Sequence, residues 1–292
     1  MSRRGLLLFS AMCVIWGVPY LMIRVAVEDL SPGMLVFART TIAALLLLPI
    51  AVARDGLRPL LKVWRPVVMF AGIEIAVPWL LLGRVEQRLS SSLTGLLIAA
   101  VPLVAMLVTS LTGERERHGM RRWLGLCLGM TGVAALVGLN LGSVSAQPLV
   151  ELSGVAICYA VGPIILSRYL SDEPALSVIA ASLTLTAIVY IPVAAFDWPA
   201  AVPPAKAILS VAGLAVVCTA VAFLVFFALI AEIGPVRATV ITYINPAVAA
   251  ILGVAVLSER FTRGMALGFV LVLAGSALAT AAGRQPSAIA EP

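Results

Sequence analysis

The sequence predicts an all-α polytopic membrane protein: ten transmembrane helices, arranged as two five-helix inverted-topology repeats. Three observations carry this reading. The 292 residues are 62% hydrophobic and 12% charged, with a mean hydropathy of +1.10. That lies well outside the range of water-soluble domains. The apolar residues come in long runs parted by short polar clusters, and the second half of the chain repeats the first.

A spanning helix needs about 20 mostly apolar residues, because the hydrocarbon layer is about 30 Å thick and each helical residue rises about 1.5 Å. Cutting at the polar clusters gives ten segments: 5 to 27, 32 to 53, 64 to 82, 90 to 111, 121 to 140, 149 to 170, 176 to 196, 206 to 230, 235 to 257 and 264 to 282. The connections 54 to 63, 112 to 120 and 197 to 205 leave little for a soluble domain. The opening MSRRGLLLF resembles a signal peptide, but its apolar run reaches Val27 and no small-x-small cleavage site precedes EDLSPG, so it reads as the first helix.

The net charge of +6 is better explained by topology than by nucleic acid, since the basic residues are spread over the connections with no aromatic-basic motif. With a cytoplasmic N terminus, 13 Lys and Arg fall inside and six outside, with Arg39 within the second segment. The positive-inside rule then puts both termini in the cytoplasm. Cys13, Cys127, Cys158 and Cys218 all lie in apolar runs without metal-ligand spacing, so they read as small apolar fillers, and neither a metal nor a cofactor is expected.

The repeat is read from proline. Pro19, Pro32, Pro49, Pro59 and Pro102 recur as Pro163, Pro174, Pro192, Pro203 and Pro246, at offsets of 142 to 144. Trp16 pairs likewise with Tyr159, Glu114-Arg115 with Glu259-Arg260, Gly119-Met120 with Gly264-Met265, Gly125 with Gly268 and Gly132 with Gly275. The predicted units are residues 1–145 and 146–292. Five helices is an odd number, so the second unit starts on the opposite side of the membrane, and the halves are related by a pseudo-two-fold axis in the membrane plane, as in inverted-repeat transporters.

Within this frame VIWGVPYLMIR (14 to 24), FARTTIAALLLLP (37 to 49) and the paired blocks IAAVPLVAMLVTSLTGER (98 to 115) and INPAVAAILGVAVLSER (244 to 260) resemble the ten-helix drug/metabolite transporters of the EamA type, which include bacterial amino-acid exporters. The resemblance spans nearly the whole chain. It implies a bacterial inner-membrane protein with a central cavity walled by helices 1, 3, 4, 6, 8 and 9, alternating access, and export of small polar metabolites. The chain lacks the paired basic residues that nucleotide-sugar relatives carry in helices 8 to 10, which argues against a phosphorylated substrate.

Charges inside segments are the first candidates for chemistry, because they are costly in lipid. Glu74, nine residues after Arg65 and ten before Arg84, is the most deeply placed acid. It reads as a cavity residue that meets a substrate amine or carries a proton; the alternative is a structural hydrogen bond between helices. Arg39, seven residues past Pro32, reads as a structural charge that snorkels outward or reaches towards Glu74. Trp16, Tyr20, Trp79, Tyr159, Tyr243 and Asn245 complete the candidate cavity, whereas Trp64, Trp123, Tyr169 and Trp198 stand near segment ends as interfacial aromatics do. Pro19, Pro78, Pro102, Pro163 and Pro246 each free a backbone carbonyl, as a static kink or as a hinge. Gly125, Gly129 and Gly132, with Gly264, Gly268 and Gly275, permit close helix packing within the repeat or in a dimer.

An intramembrane enzyme finds no support. The single histidine, His118, falls in a connection, as do Asp29, Asp55, Asp172 and Asp197. The sequence therefore favours a transporter of amino acids or similar small neutral metabolites, monomeric or dimeric, with protons as a candidate coupling ion. The alternatives are efflux of amphipathic cationic drugs and an uncoupled facilitator or channel.

Overall fold

A computed structural model describes residues 2–111, 120–140, 146–238 and 240–280, with backbone alone at 111, 139, 140, 235, 236 and 280. His118, Glu114-Arg115 and Gly119 lie outside the described residues. Every long element is helical: α1 (Arg3–Ala26), α2 (Pro32–Arg54), α3 (Trp64–Glu86), α4 (Ser91–Ser110), α5 (Met120–Asn140), α6 (Ala146–Tyr169), α7 (Ala175–Phe196), α8 (Ala205–Ile233), α9 (Ile241–Leu257) and α10 (Arg263–Thr280). Among the described residues eight helices are long and apolar enough to cross a membrane, and α9 and α10 are shorter apolar helices. Large apolar side chains such as Leu45, Val189, Phe196 and Ile251 stand exposed, which suits a surface bathed in hydrocarbon.

Two expected boundaries move. The third helix continues past 82 to Glu86, because Gly83, Val85 and Glu86 are buried against neighbours and Arg84 finds an acid in α6. The segment expected from 235 divides into a single turn, Pro235–Ala238, and α9 proper.

The helices pack most extensively as the pairs α5 with α10, α2 with α7, α4 with α9, α3 with α6 and α1 with α8. Stepping five helices along the chain carries the first three pairs onto themselves and α3–α6 onto α8–α1. Glycine makes the α5–α10 approach possible, as small residues do where no solvent drives helices together. A Cβ at Gly125 would strike the backbone at Gly275 and Ala279, and one at Gly132 would strike Gly268 and Val272. These contacts run in opposite directions along the two helices, so α5 and α10 are antiparallel.

Four helices depart from regular geometry. In α1 the Gly17 N–H turns to Val14 O (2.9 Å), so Cys13 O loses its usual donor, and Pro19 restarts the helix. In α4 the break falls at Ala99–Ala100, just before Pro102; the Leu103 N–H bonds Ala100 O (2.9 Å) and the freed Ala99 O accepts from Ser276 of α10 (3.3 Å). Both α3 and α8 contain a π-helical stretch, Ala71–Ala76 and Gly213–Val221, whose first residues stand 142 apart. In α3 the wider turn immediately precedes Pro78, which has no N–H to give to residue 74; Val77 bonds five residues back, to Gly72. Pro49, Pro163, Pro192 and Pro246 lie within continuous helices.

Candidate functional site

The two π-helical stretches bring polar side chains into the middle of the bundle. On α3, Glu74 points at α6, where Gly162 leaves it room: a Cβ at that position would collide with the carboxylate. Glu74 Oε2 is sealed from solvent and has no hydrogen-bond partner among the described residues. A carboxylate oxygen removed from water without a partner is costly, so the position is held by packing and not by any gain of its own.

On α8, the π turn lets the Thr219 hydroxyl donate to Leu214 O, five residues back, at 2.7 Å. The Thr219 Oγ1 also accepts from Arg39 Nε at 2.9 Å, and both residues are buried. The Arg39 guanidinium lies over the Trp79 ring, 3.6 Å from its centroid, a desolvated cation–π contact of about 2 kcal/mol by general experience. Arg39 is 7% exposed, so it neither snorkels outward nor forms an ion pair with Glu74 among the described residues. Tyr159 of α6 lies within electrostatic reach of both charges and close to Trp79. Cys158 lies within electrostatic reach of Glu74, and Cys218 of Arg39.

The structure thus gathers Glu74, Arg39, Trp79 and Tyr159 into one polar cluster. Tyr20 lies beside it, within reach of Tyr159 and against α4 at Gly95. Trp16 lies elsewhere, in the α1–α8 seam against Phe226 (4.7 Å) and Phe223 (6.1 Å). Asn245 is buried where α9 crosses α1. Its amide, assigned with the nitrogen towards two carbonyls because an oxygen there would face only acceptors, donates to Cys13 O at 3.1 Å and Ile241 O at 2.9 Å. The Cys13 carbonyl is the one orphaned by the break in α1, so Asn245 stitches that break to α9. Tyr243 is partly buried one turn before Pro246. Of the four cysteines, all of them free, Cys13 and Cys218 are buried and Cys127 is exposed.

Sequence reasoning passed over Thr219 and Gly162. Thr219 was detectable as one of two hydroxyl residues in the apolar run from 205 to 233, and Gly162 as the small residue before an intrahelical proline.

Charges recur at the end of the bundle remote from Ser2 and Thr280. Glu151 of α6 pairs with Arg84 (2.9 Å) and Arg88 (3.7 Å) of the α3 end. Lys206 bonds Glu28 at 2.6 Å and approaches Asp29 at 3.7 Å. The Lys206 hydrogen bond, with Arg24 adding to it, holds the Glu28 carboxyl below the usual carboxylate range.

The sequence profile of the EamA-like transporter family matches residues 3–138 and again 150–281. The chain belongs to that family. Similar proteins are named as transporters. The uncharacterized inner membrane transporter YedA of Escherichia coli K12 is 28% identical over 269 residues, covering 89% of this chain and 86% of that protein. The uncharacterized transporters YvbV and YdfC of Bacillus subtilis are 24% and 23% identical, over 93% and 91% of this chain and 90% and 87% of theirs. A solved crystal structure superposes with a TM-score of 0.67 at 20% identity, over 96% of this chain and 97% of that one, a likeness of fold. Family membership, with the long apolar helices, makes this a multi-pass membrane transporter.

Proposed function

We propose that this transporter exports amino acids or similar small neutral metabolites by alternating access, and that the substrate binds between Arg39 and Glu74. The observation that carries the reading is a mismatch of charge in the cluster: among the described residues, a buried guanidinium without a carboxylate and a buried carboxylate oxygen without a donor. A zwitterion supplies what each lacks, its carboxylate to Arg39 and its ammonium to Glu74. Trp79 and Tyr159 offer rings for an apolar side chain.

Efflux of amphipathic cations is the weaker alternative, because Arg39 places a fixed positive charge in the same site. The two stretches matched by the family, the helix pairs that exchange under a shift of five, and the antiparallel α5–α10 contact support two inverted five-helix units, residues 1–145 and 146–292. The charge bias supports cytoplasmic termini, which makes the end with Arg88 and Glu259 the outer one.

The experiment is uptake of labelled amino acids into proteoliposomes holding the purified protein, with and without a proton gradient. Accumulation against a gradient supports an active exporter; equilibration that ignores the gradient supports a facilitator. Failure across the amino acids together with saturable uptake of a lipophilic cation would reverse the ranking.

A further inference from the structure

Three features converge at the end of α4 remote from the chain termini. The first eight residues of α4, Ser91–Ile98, form a short rigid arm that ends at the Ala99–Ala100 break. The arm is buried: Ser91, Ser92 and Thr94 are each 0% exposed, Gly95 lies against Ala249 of α9 and Tyr20 of α1, and Ser92 Oγ approaches Ala250 O.

The carboxylate of Glu259, just past the end of α9, grips the start of this arm. Its Oε1 accepts from the Ser91 N–H (2.8 Å) and the Ser91 hydroxyl (3.0 Å), and its Oε2 accepts from the Ser92 N–H (2.9 Å). These N–H groups have no partner within the helix, and the helix dipole favours an anion there.

The chain takes on backbone strain to deliver that carboxylate. Ser258 has φ 55° and ψ 31°, a left-handed conformation that glycine adopts freely and serine rarely. The turn is closed by the Glu259 N–H on Gly253 O (3.1 Å). Gly253 has no side chain for a reason: a Cβ there would meet Glu259 and both serine hydroxyls.

We infer that Glu259 is the positioning residue of a gate: a latch that holds the Ser91–Ile98 arm across the far end of the bundle, and whose release lets the arm turn about Ala99–Ala100 to open that end. The inference rests on the alternating-access reading above. The α4 break supplies the joint, and Ser276 of α10 already satisfies the carbonyl that such a joint exposes. Nothing in the arm itself need unfold, since its strain-bearing contact is the Ser258–Glu259 corner on α9. Glu259 touches no candidate substrate group; it acts through the arm.

The test reads the arm without needing a substrate. In the full chain with Cys13, Cys127, Cys158 and Cys218 changed to Ala, Thr94→Cys reports on the buried face of the arm. A membrane-impermeant maleimide is added to the outside of intact cells. Adding Glu259→Gln is expected to speed labelling roughly tenfold, the equivalent of one charge-assisted hydrogen bond. A second reporter at the opposite end, Ala238→Cys, probed in inverted vesicles, is expected to keep its rate. If Glu259→Gln does not fold, Ser91→Ala removes one of the three bonds and leaves Glu259 in place, and labelling should still quicken severalfold. Unchanged Thr94→Cys labelling in folded protein, or equal acceleration at both reporters, overturns the latch. A chain that carries none of the amino acids tested but shows the accelerated labelling overturns the substrate reading alone.

Discussion

Gly162 of α6 and Glu74 of α3 occupy one space: the carboxylate fills the volume a side chain at 162 would need. Gly162→Ala therefore forces Glu74 to move, and overpacking of this kind typically costs about 1–3 kcal/mol. Transport is expected to fall by roughly fivefold to a hundredfold on that scale, with the loss read in proteoliposome uptake at equal protein content. Wild-type uptake by Gly162→Ala would show that the Glu74 position is not critical.

Arg39 is held by a hydrogen bond and a ring face, so its planar fork matters as much as its charge. Arg39→Lys keeps the charge and loses both geometries; it is expected to raise the KM for an amino acid roughly tenfold or more, the loss of one charge-assisted hydrogen bond. Thr219→Val removes the hydroxyl that accepts from Arg39 and leaves that N–H unpaired, at a cost of about 1–3 kcal/mol. It should shift KM in the same direction. A KM unchanged in both variants would remove Arg39 from the binding site.

Asn245 is expected to behave differently. Its amide satisfies Cys13 O, which the break in α1 orphans, so Asn245→Leu leaves that buried carbonyl unpaired and should lower the melting temperature by several degrees, on a loss of about 1–3 kcal/mol. KM in the surviving protein should change less than in Arg39→Lys. A variant with normal stability and a large KM defect would mean that Asn245 faces the substrate.

The Glu28–Lys206 contact gives a pH signature. A carboxyl whose folded pKa is depressed contributes stability that is fully present above its unfolded value and is lost as pH falls through the folded value. Glu28 should thus remain ionised below the usual carboxylate range, and the protein should lose this contribution only in more acidic solution. Both groups are exposed, so the effect is small and screened by salt. A Lys206→Gln variant should return the Glu28 carboxyl, followed by isotope-edited infrared spectroscopy, to the ordinary range; no movement would contradict the assignment.

Much of this arrangement was legible in the residues. Hydropathy marked ten apolar segments because lipid exacts a minimum length from each, and the proline offsets pointed to a repeat because a missing N–H restricts where a helix can carry the residue. Glu74 was legible because charge within an apolar run is rare. What stayed hidden depends on which neighbour answers a freed carbonyl. Pro102 predicts an irregularity in α4, but the break falls at Ala99–Ala100, where Ser276 of α10 can reach. Pro78 predicts a kink, yet the wider turn that precedes it and brings Glu74 beside Gly162 is set by packing on α6 and α7. The roles of Asn245 and Glu259 lie in carbonyls and N–H groups of other helices, which no pattern within their own segment records.

The central claim is that Glu74 and Arg39 divide a zwitterion between them. It is tested most directly by binding to purified Glu74→Gln of two ligands, an amino acid and its analogue lacking the α-amino group. The account predicts that the wild type prefers the amino acid and that Glu74→Gln abolishes most of this preference, by roughly tenfold or more for a buried charge-assisted contact. An undiminished preference in Glu74→Gln would contradict it.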